Sequence, residues 1–248
     1  MDITEPALTG EATAYGVSAE FYDLLQGDRD RERARRRFTA AARRAVLGVL
    51  DVGAGTGIVT EVLVRFAAVP VHAVEPSRAM RTPLIARIAR LHTAERGRVT
   101  VHPCTVQDCP LHRAVDLAVA ANMIPCLPPD RRRATWHALA DALVPGGLLL
   151  FDPPPEHPTR RREQWCLPSA HVGPDQYSAQ VVSTPHEEVQ RLRFTYRVHR
   201  AGQLIREEHE DFTVWPTSPA LITRELREAG FTPVPAPHRT LRAALLRA

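Results

Sequence analysis

A short apolar strand that runs straight into a glycine-rich turn constrains this chain more than any other feature. Val49-Leu50-Asp51-Val52 is followed at once by Gly53-Ala54-Gly55-Thr56-Gly57. Glycine tolerates left-handed backbone and lets a ligand approach the main chain, while a helix that starts after such a turn offers it unpaired N–H groups. About twenty residues on, a second apolar strand, Val71-His72-Ala73-Val74, ends in Glu75, the spacing at which α/β folds present a carboxylate to a ribose diol. Strand, turn and strand-end acid together specify a nucleoside cofactor.

The third glycine narrows the choice of cofactor. A dinucleotide fingerprint reads Gly-x-Gly-x-x-Gly, whereas here glycines stand at 53, 55 and 57 and Ile58 fills the dinucleotide position. Asp51 would repel a pyrophosphate and suits a cationic ligand. No Lys occurs anywhere in the chain, which removes a P-loop lysine, a Schiff base and the Tyr-x-x-x-Lys pair of short-chain dehydrogenases.

The pattern Asp51-x-Gly53-x-Gly55-x-Gly57 followed by the strand-end Glu75 resembles the cofactor motif of class I S-adenosylmethionine-dependent methyltransferases. Their ligand carries a sulfonium and an ammonium, in keeping with Asp51. The resemblance implies cofactor contacts at Gly53, Ala54 and Gly55, a Glu75 carboxylate on the ribose hydroxyls, and Pro76 and Met80 over the adenine. Where the family often has an Asp for the adenine amino group, alignment on Pro110 places Thr105, a weaker acceptor; Val106 would offer its N–H to the ring and Asp108 would cap the surface. Ala120 to Pro125 falls where the family faces sulfonium and substrate, and Asn122 is the single Asn of the chain. Tyr15 and Tyr22 match aromatic positions in the amino-terminal helix of small-molecule methyltransferases, where Tyr contacts the methionine part or roofs the site.

Alternation of strands and helices predicts an α/β fold: a Rossmann-like, seven-stranded, doubly wound sheet with an antiparallel C-terminal hairpin and a β-rich insertion. A helical lid segment is expected over 1–46, its first helix ending near Gly27 and an Arg/Ala-rich second helix spanning 30–46. The cofactor-binding core is expected over 47–156, the insertion over 157–215 as a substrate lid or dimer surface, and the end of the core sheet over 216–248. Within the core, Ser77 should cap a helix from Arg78 to about Thr93. The prolines at 153, 154, 155 and 158 mark the change to β structure. There Leu192, Phe194, Tyr196 and Val198 alternate with polar residues, and Arg/Glu pairs are expected to cross to the next strand. The family resemblance covers residues 15–152 and 217–246.

A chain of 248 residues fits one such core with an elaboration. No apolar run reaches the ~18 residues of a membrane span, and the first residues lack the order of a signal peptide, so a soluble, cytoplasmic protein without membrane partners is expected. The four cysteines show no Cys-x-x-Cys spacing, so neither a metal site nor a disulfide framework is expected. The runs Arg29–Arg33 and Arg35–Arg37 read as a solvated helix face; with no aromatics interleaved, no nucleic-acid partner is expected. A homodimer remains open.

Methyl transfer requires alignment and exclusion of water, and a base only when the acceptor is a hydroxyl or phenol. Candidates near the substrate mouth are Tyr22, Asn122, His157 and His171, with Asp152 and Glu156 as further carboxylates. The expected activity is transfer of a methyl group from S-adenosyl-L-methionine to a small-molecule or peptide amine in secondary metabolism. Small-molecule O-methylation through His157 or His171, a non-catalytic cofactor-binding module and a nicotinamide oxidoreductase are the alternatives.

Overall fold

The computed structural model describes residues 15–247, so the part of the expected 1–46 segment before Tyr15 lies outside the described residues. In chain order the elements are α1 (Ser18–Ala42), β1 (Val49–Val52), α2 (Ile58–Phe66), β2 (Val71–Val74), α3 (Arg78–Ala89), α4 (Thr93–Arg96), β3 (Val99–His102), β4 (Val115–Ala120), α5 (Pro129–Ala142) and β5 (Leu143–Phe151). Then follow β6 (Glu163–Cys166), β7 (Ala170–Val172), β8 (Asp175–His186), β9 (Val189–Arg200), β10 (Gln203–Val214), α6 (Pro219–Glu228), β11 (Phe231–Val234) and β12 (Arg242–Leu246).

Seven strands form one sheet in the order β11-β12-β5-β4-β1-β2-β3, parallel from β5 to β3 and closed by the antiparallel β11–β12 hairpin. The fold expected from the sequence is present. Its central strands are apolar on both sides because helices cover both faces. Trp136 and Leu139 of α5 with Ile222 and Leu226 of α6 pack on one face. Ala34, Phe38 and Ala42 of α1 with Val62 and Leu63 of α2 pack on the other. A second, antiparallel sheet runs β10-β9-β8-β6, with β7 also on β8. Its Arg/acid pairs cross between β9 and β10 as anticipated: Arg193 faces Asp211 and Arg197 faces Glu207.

Two boundaries differ from the sequence expectation. The amino-terminal region is one helix of 25 residues that passes straight through Gly27. Glycine costs a helix interior about 1 kcal/mol, and the continuous buried stripe of Phe21, Leu25, Ala34, Phe38 and Ala42 outweighs it. The helix after Ser77 stops at Ala89, because the chain turns to bury Leu91 and restarts at Thr93, where Glu95 closes a capping box. Ser77 itself caps α3 as expected, accepting the Met80 N–H.

The α5–α6 layer contains a buried charge cluster. Arg132 donates Nε and Nη2 to the two oxygens of Glu225, both at 2.9 Å, and Nη1 to Thr217 Oγ1, also at 2.9 Å; Trp136 Nε1 adds a 3.0 Å bond to Glu225. Both side chains are almost wholly excluded from solvent. Losing one member of such a pair strands a charge, whereas replacing both by apolar groups removes the desolvation cost with the attraction. Arg132→Met should therefore lower unfolding free energy by about 3–5 kcal/mol. The double variant Arg132→Met/Glu225→Leu should recover most of that loss, read from urea midpoints; an additive or larger loss in the double variant would refute this expectation.

Candidate functional site

The glycine turn sits at the C-terminal edge of β1, where α/β sheets open their crevice. Gly53, Gly55 and Gly57 all have positive φ, but two of them are needed for different reasons. At Gly57 a Cβ would meet Leu84 Cδ1 at 2.6 Å, so glycine is required by packing against α3. At Gly55 the nearest heavy atom to a Cβ is 3.9 Å away and the residue lines a cavity, so a methyl there would project into ligand space. That space is a cavity of about 620 Å³ running from the glycine turn to the second sheet.

On the glycine side, Glu75 is buried and accepts N–H groups from Gly55 and Ser77, each at 2.8 Å. Burial pushes its carboxyl upward, and these two bonds oppose the shift. Gly53, Ala54, Gly55, Glu75, Pro76, Met80, Thr105 and Val106 all line the cavity. Thr105 donates its hydroxyl to Asp108 Oδ2 at 2.7 Å, so the two polar groups of this loop act as a unit.

Asp51 and Ala120 lie behind the wall. Ala120 is completely buried beneath Ala121, where the lining begins. The Asp51 carboxylate, 1% exposed, is held by the Thr60 hydroxyl at 2.6 Å, and burial pushes its pKa up to about 7. Any influence of Asp51 on a ligand is electrostatic and reaches across the turn.

The opposite wall is built by α1 and the second sheet. Tyr15 precedes α1 in left-handed backbone, its ring 5.0 Å from that of Phe212. Tyr22 lies in α1 and donates its hydroxyl to Asp30 at 3.1 Å. Both are half-buried, and desolvation raises both phenols above their ordinary value. Leu192, Phe194 and Tyr196 of β9 and Phe212 of β10 complete this side. The second sheet also holds the start of α1. Glu210 accepts the Ser18 N–H at 2.7 Å, a charge well placed at a helix N-terminus, and Tyr196 shares a 2.8 Å bond with the Ser18 hydroxyl.

Asn122 lines the cavity between the two sides, and its backbone explains its identity. It adopts φ +59°, a region Asn enters more readily than most residues, and its N–H donates to Asp152 at 2.9 Å. Asp152 is engaged from α1 as well, by Arg37 at 2.5 Å and Arg33 at 3.3 Å, which makes it a clamp for the sheet edge. His157 is exposed beside Glu156 at 3.7 Å, and His171 is exposed on β7 opposite Gln176. Neither belongs to the lining. The structure thus gathers Tyr15, Tyr22 and Asn122 at the cavity and leaves both histidines outside it.

Sequence reasoning missed the contribution of β9 and β10, although the alternation of Leu192, Phe194 and Tyr196 was visible; period two identifies a face without saying what the face meets. It also read Arg29, Arg33 and Arg37 as solvated. Their i, i+4, i+8 spacing puts them on one stripe of α1, and all three line the cavity. No described helix is long and apolar enough to cross a membrane. Among the described residues no cluster of three His, Cys, Asp or Glu side chains is arranged to hold a metal ion.

Residues 49–147 match the family model described as a methyltransferase domain. No curated protein sequence matches the chain. Solved structures share its architecture. DesVI of Streptomyces venezuelae is 18% identical and aligns over 93% of this chain and 98% of its own, with a TM-score of 0.75. The sugar N-methyltransferase KedS8 of a Streptoalloteichus species is 20% identical over 100% and 99%, with a TM-score of 0.70. The S-adenosylmethionine-bound CalS10 of Micromonospora echinaspora, an amino pentose methyltransferase involved in calicheamicin biosynthesis, is 19% identical over 98% and 99%, with a TM-score of 0.66. Coverage this complete takes in the second sheet, so the likeness extends beyond residues 15–152 and 217–246 and the β-rich region is part of the shared architecture. At these identities the likeness is one of fold, and the match to the methyltransferase domain model is carried by residues 49–147, the stretch from β1 into β5 that holds the glycine turn and Glu75.

Proposed function

We propose that the chain is an S-adenosylmethionine-dependent methyltransferase that modifies an amine of a small-molecule or peptide acceptor in secondary metabolism. The observation that carries the amine is the make-up of the cavity wall, where no histidine stands among the described lining residues. Its phenols are raised by burial. The carboxylates at the wall are engaged: Glu75 by two backbone N–H groups, Asp30 by Tyr22, and Asp211 by both guanidinium arms of Arg193. A neutral amine attacks without a base, whereas a hydroxyl or phenol requires one. The likeness to KedS8, a sugar N-methyltransferase, and to CalS10, which methylates an amino pentose in calicheamicin biosynthesis, points the same way.

The residues present suit S-adenosylmethionine. Glu75 offers a buried carboxylate to a ribose diol, Gly55 leaves room against the main chain, and Pro76, Met80, Thr105 and Val106 form a slot for the adenine. When bound, this cofactor supplies an electrophilic methyl that an in-line nucleophile accepts. The chain aligns the acceptor and excludes water through Tyr15, Phe212 and Phe194, whose rings contact one another at 5.0 and 5.4 Å.

Calorimetry with S-adenosylmethionine, followed by mass detection of methyl transfer over matched amine and hydroxyl panels, tests the reading. Methylated amines alone are expected, with turnover little changed by His157→Ala or His171→Ala; collapse of turnover in either variant would favour O-methylation instead. Glu75→Ala should weaken cofactor binding about tenfold or more, equivalent to about 1.4 kcal/mol. Tight binding of NAD with no response to the sulfonium cofactor would defeat the assignment.

Asp51 makes cofactor binding sensitive to pH. Its pKa stands near 7 in the free protein, and a cation across the turn favours the ionised form, lowering the pKa in the complex. Affinity should therefore rise with pH up to about 7 and level off above, with proton release on binding below that point. Calorimetry in buffers of different ionisation heat measures the release, and Asp51→Asn should abolish both the release and the slope; a flat wild-type profile would count against the coupling.

A further inference from the structure

Arg37 is 3% exposed, lines the cavity, and carries in its Nε the one buried side-chain polar atom left without a partner among the described residues. A buried unsatisfied donor is costly, more so on a charged group. Its fork is only half used, since Nη2 is bonded to Asp152. One turn earlier on the same stripe stands Arg33, half-exposed and reaching Asp152 at 3.3 Å; one turn earlier again stands Arg29, 61% exposed and 3.6 Å from Asp30. Three guanidiniums thus descend one cavity wall from mouth to floor, opposed by the carboxylates of Asp30 and Asp152, which leaves an excess of one positive charge. Other residues of the same run behave differently: Arg36 pairs with Glu32 on the solvent side, and Arg31 pairs with Asp28 and turns toward Glu61 of α2.

Position decides what this row can serve. Asp152 follows β5, two strands from β1 in the sheet order, hence roughly 10 Å to the side of the glycine turn at ordinary strand spacing. The row accordingly belongs to the acceptor side. Resting on the proposed methyl transfer, we propose that Arg37 and Arg33, with Arg29 at the mouth, form an oxyanion subsite that holds a carboxylate or phosphoryl group of the acceptor while its amine faces the transferred methyl. A planar oxyanion edge satisfies the free Nε–H of Arg37, and Arg33 supplies the second donor in the bidentate manner guanidinium favours.

The test uses the full chain saturated with S-adenosylhomocysteine and titrated with inorganic phosphate, pyrophosphate, acetate and succinate, with chloride at equal ionic strength as the reference. Saturable oxyanion binding is expected, weakened about tenfold or more in Arg33→Gln and in Arg37→Lys, which keeps a cation beside Asp152 but removes the fork. The doubly altered Arg35→Gln/Arg36→Gln chain, which loses more charge on the outer face, should bind like the wild type. Stronger response to phosphate and pyrophosphate assigns a phosphoryl acceptor, and stronger response to acetate and succinate a carboxylate. The subsite is overturned if no oxyanion saturates above chloride, if both wall variants bind unchanged, or if the outer-face control loses as much as they do. Should Arg37→Lys fail to fold, the half-exposed Arg33→Gln decides the matter alone, by the same loss or retention of binding. Failure of S-adenosylhomocysteine itself to bind strikes the proposed function, whereas flat oxyanion titrations on a loaded chain strike the subsite alone.

Discussion

The cavity exists because α1 is tied by charge to the edge of the main sheet at two separated points. At the glycine turn, Asp23 accepts the Thr56 hydroxyl and one arm of Arg87, both at 2.5 Å, while Arg87 also reaches the Thr56 carbonyl and Glu61. At the far side, Arg33 and Arg37 grip Asp152 beyond β5. Between these ties the helix bridges the crevice where the sheet opens and acts as its wall. The second tie is the more consequential, because Asp152 also fixes the Asn122 N–H and so shapes the loop after β4. A helix packed only by apolar contact could slide by a residue; one clamped at both ends holds its register.

The second sheet is fastened to the same helix, through Ser18, Glu210 and Tyr196 and through the cluster of Phe21, Leu25, Ala179 and Val198. The two halves of the cavity therefore meet on a shared element. One side is set by backbone geometry at Gly53–Gly57 and by Glu75. The other is set by side chains that α1 and β9 carry into the gap.

How far the sequence could be read follows from this division. The strands, the Ser77 cap, the closing hairpin and the glycine turn were legible because each rests on short-range signals: apolar runs and glycines that need positive φ. The unbroken α1 was not, since Gly27 is a local stop signal that long-range burial of Phe21 and Phe38 overrides. The wall built by α1 and β9 was least legible. His157 and His171 were chosen for their chemistry, and only the path of the chain after β5 shows them at the surface. Asn122 was marked for its rarity and proves to answer a backbone demand.

Strand β9 separates two properties along a single stretch of chain. Leu192, Phe194 and Tyr196 line the cavity, while Arg193 and Arg197, on the opposite face, pair with acids of β10. Substitutions at every second position can thus remodel the cavity wall without touching the charged ladder that keeps the sheet hydrated and in register. With the glycine turn anchored on a different sheet, a lineage carrying this architecture can reshape one side of the cavity one β9 residue at a time while leaving the turn and Glu75 unaltered.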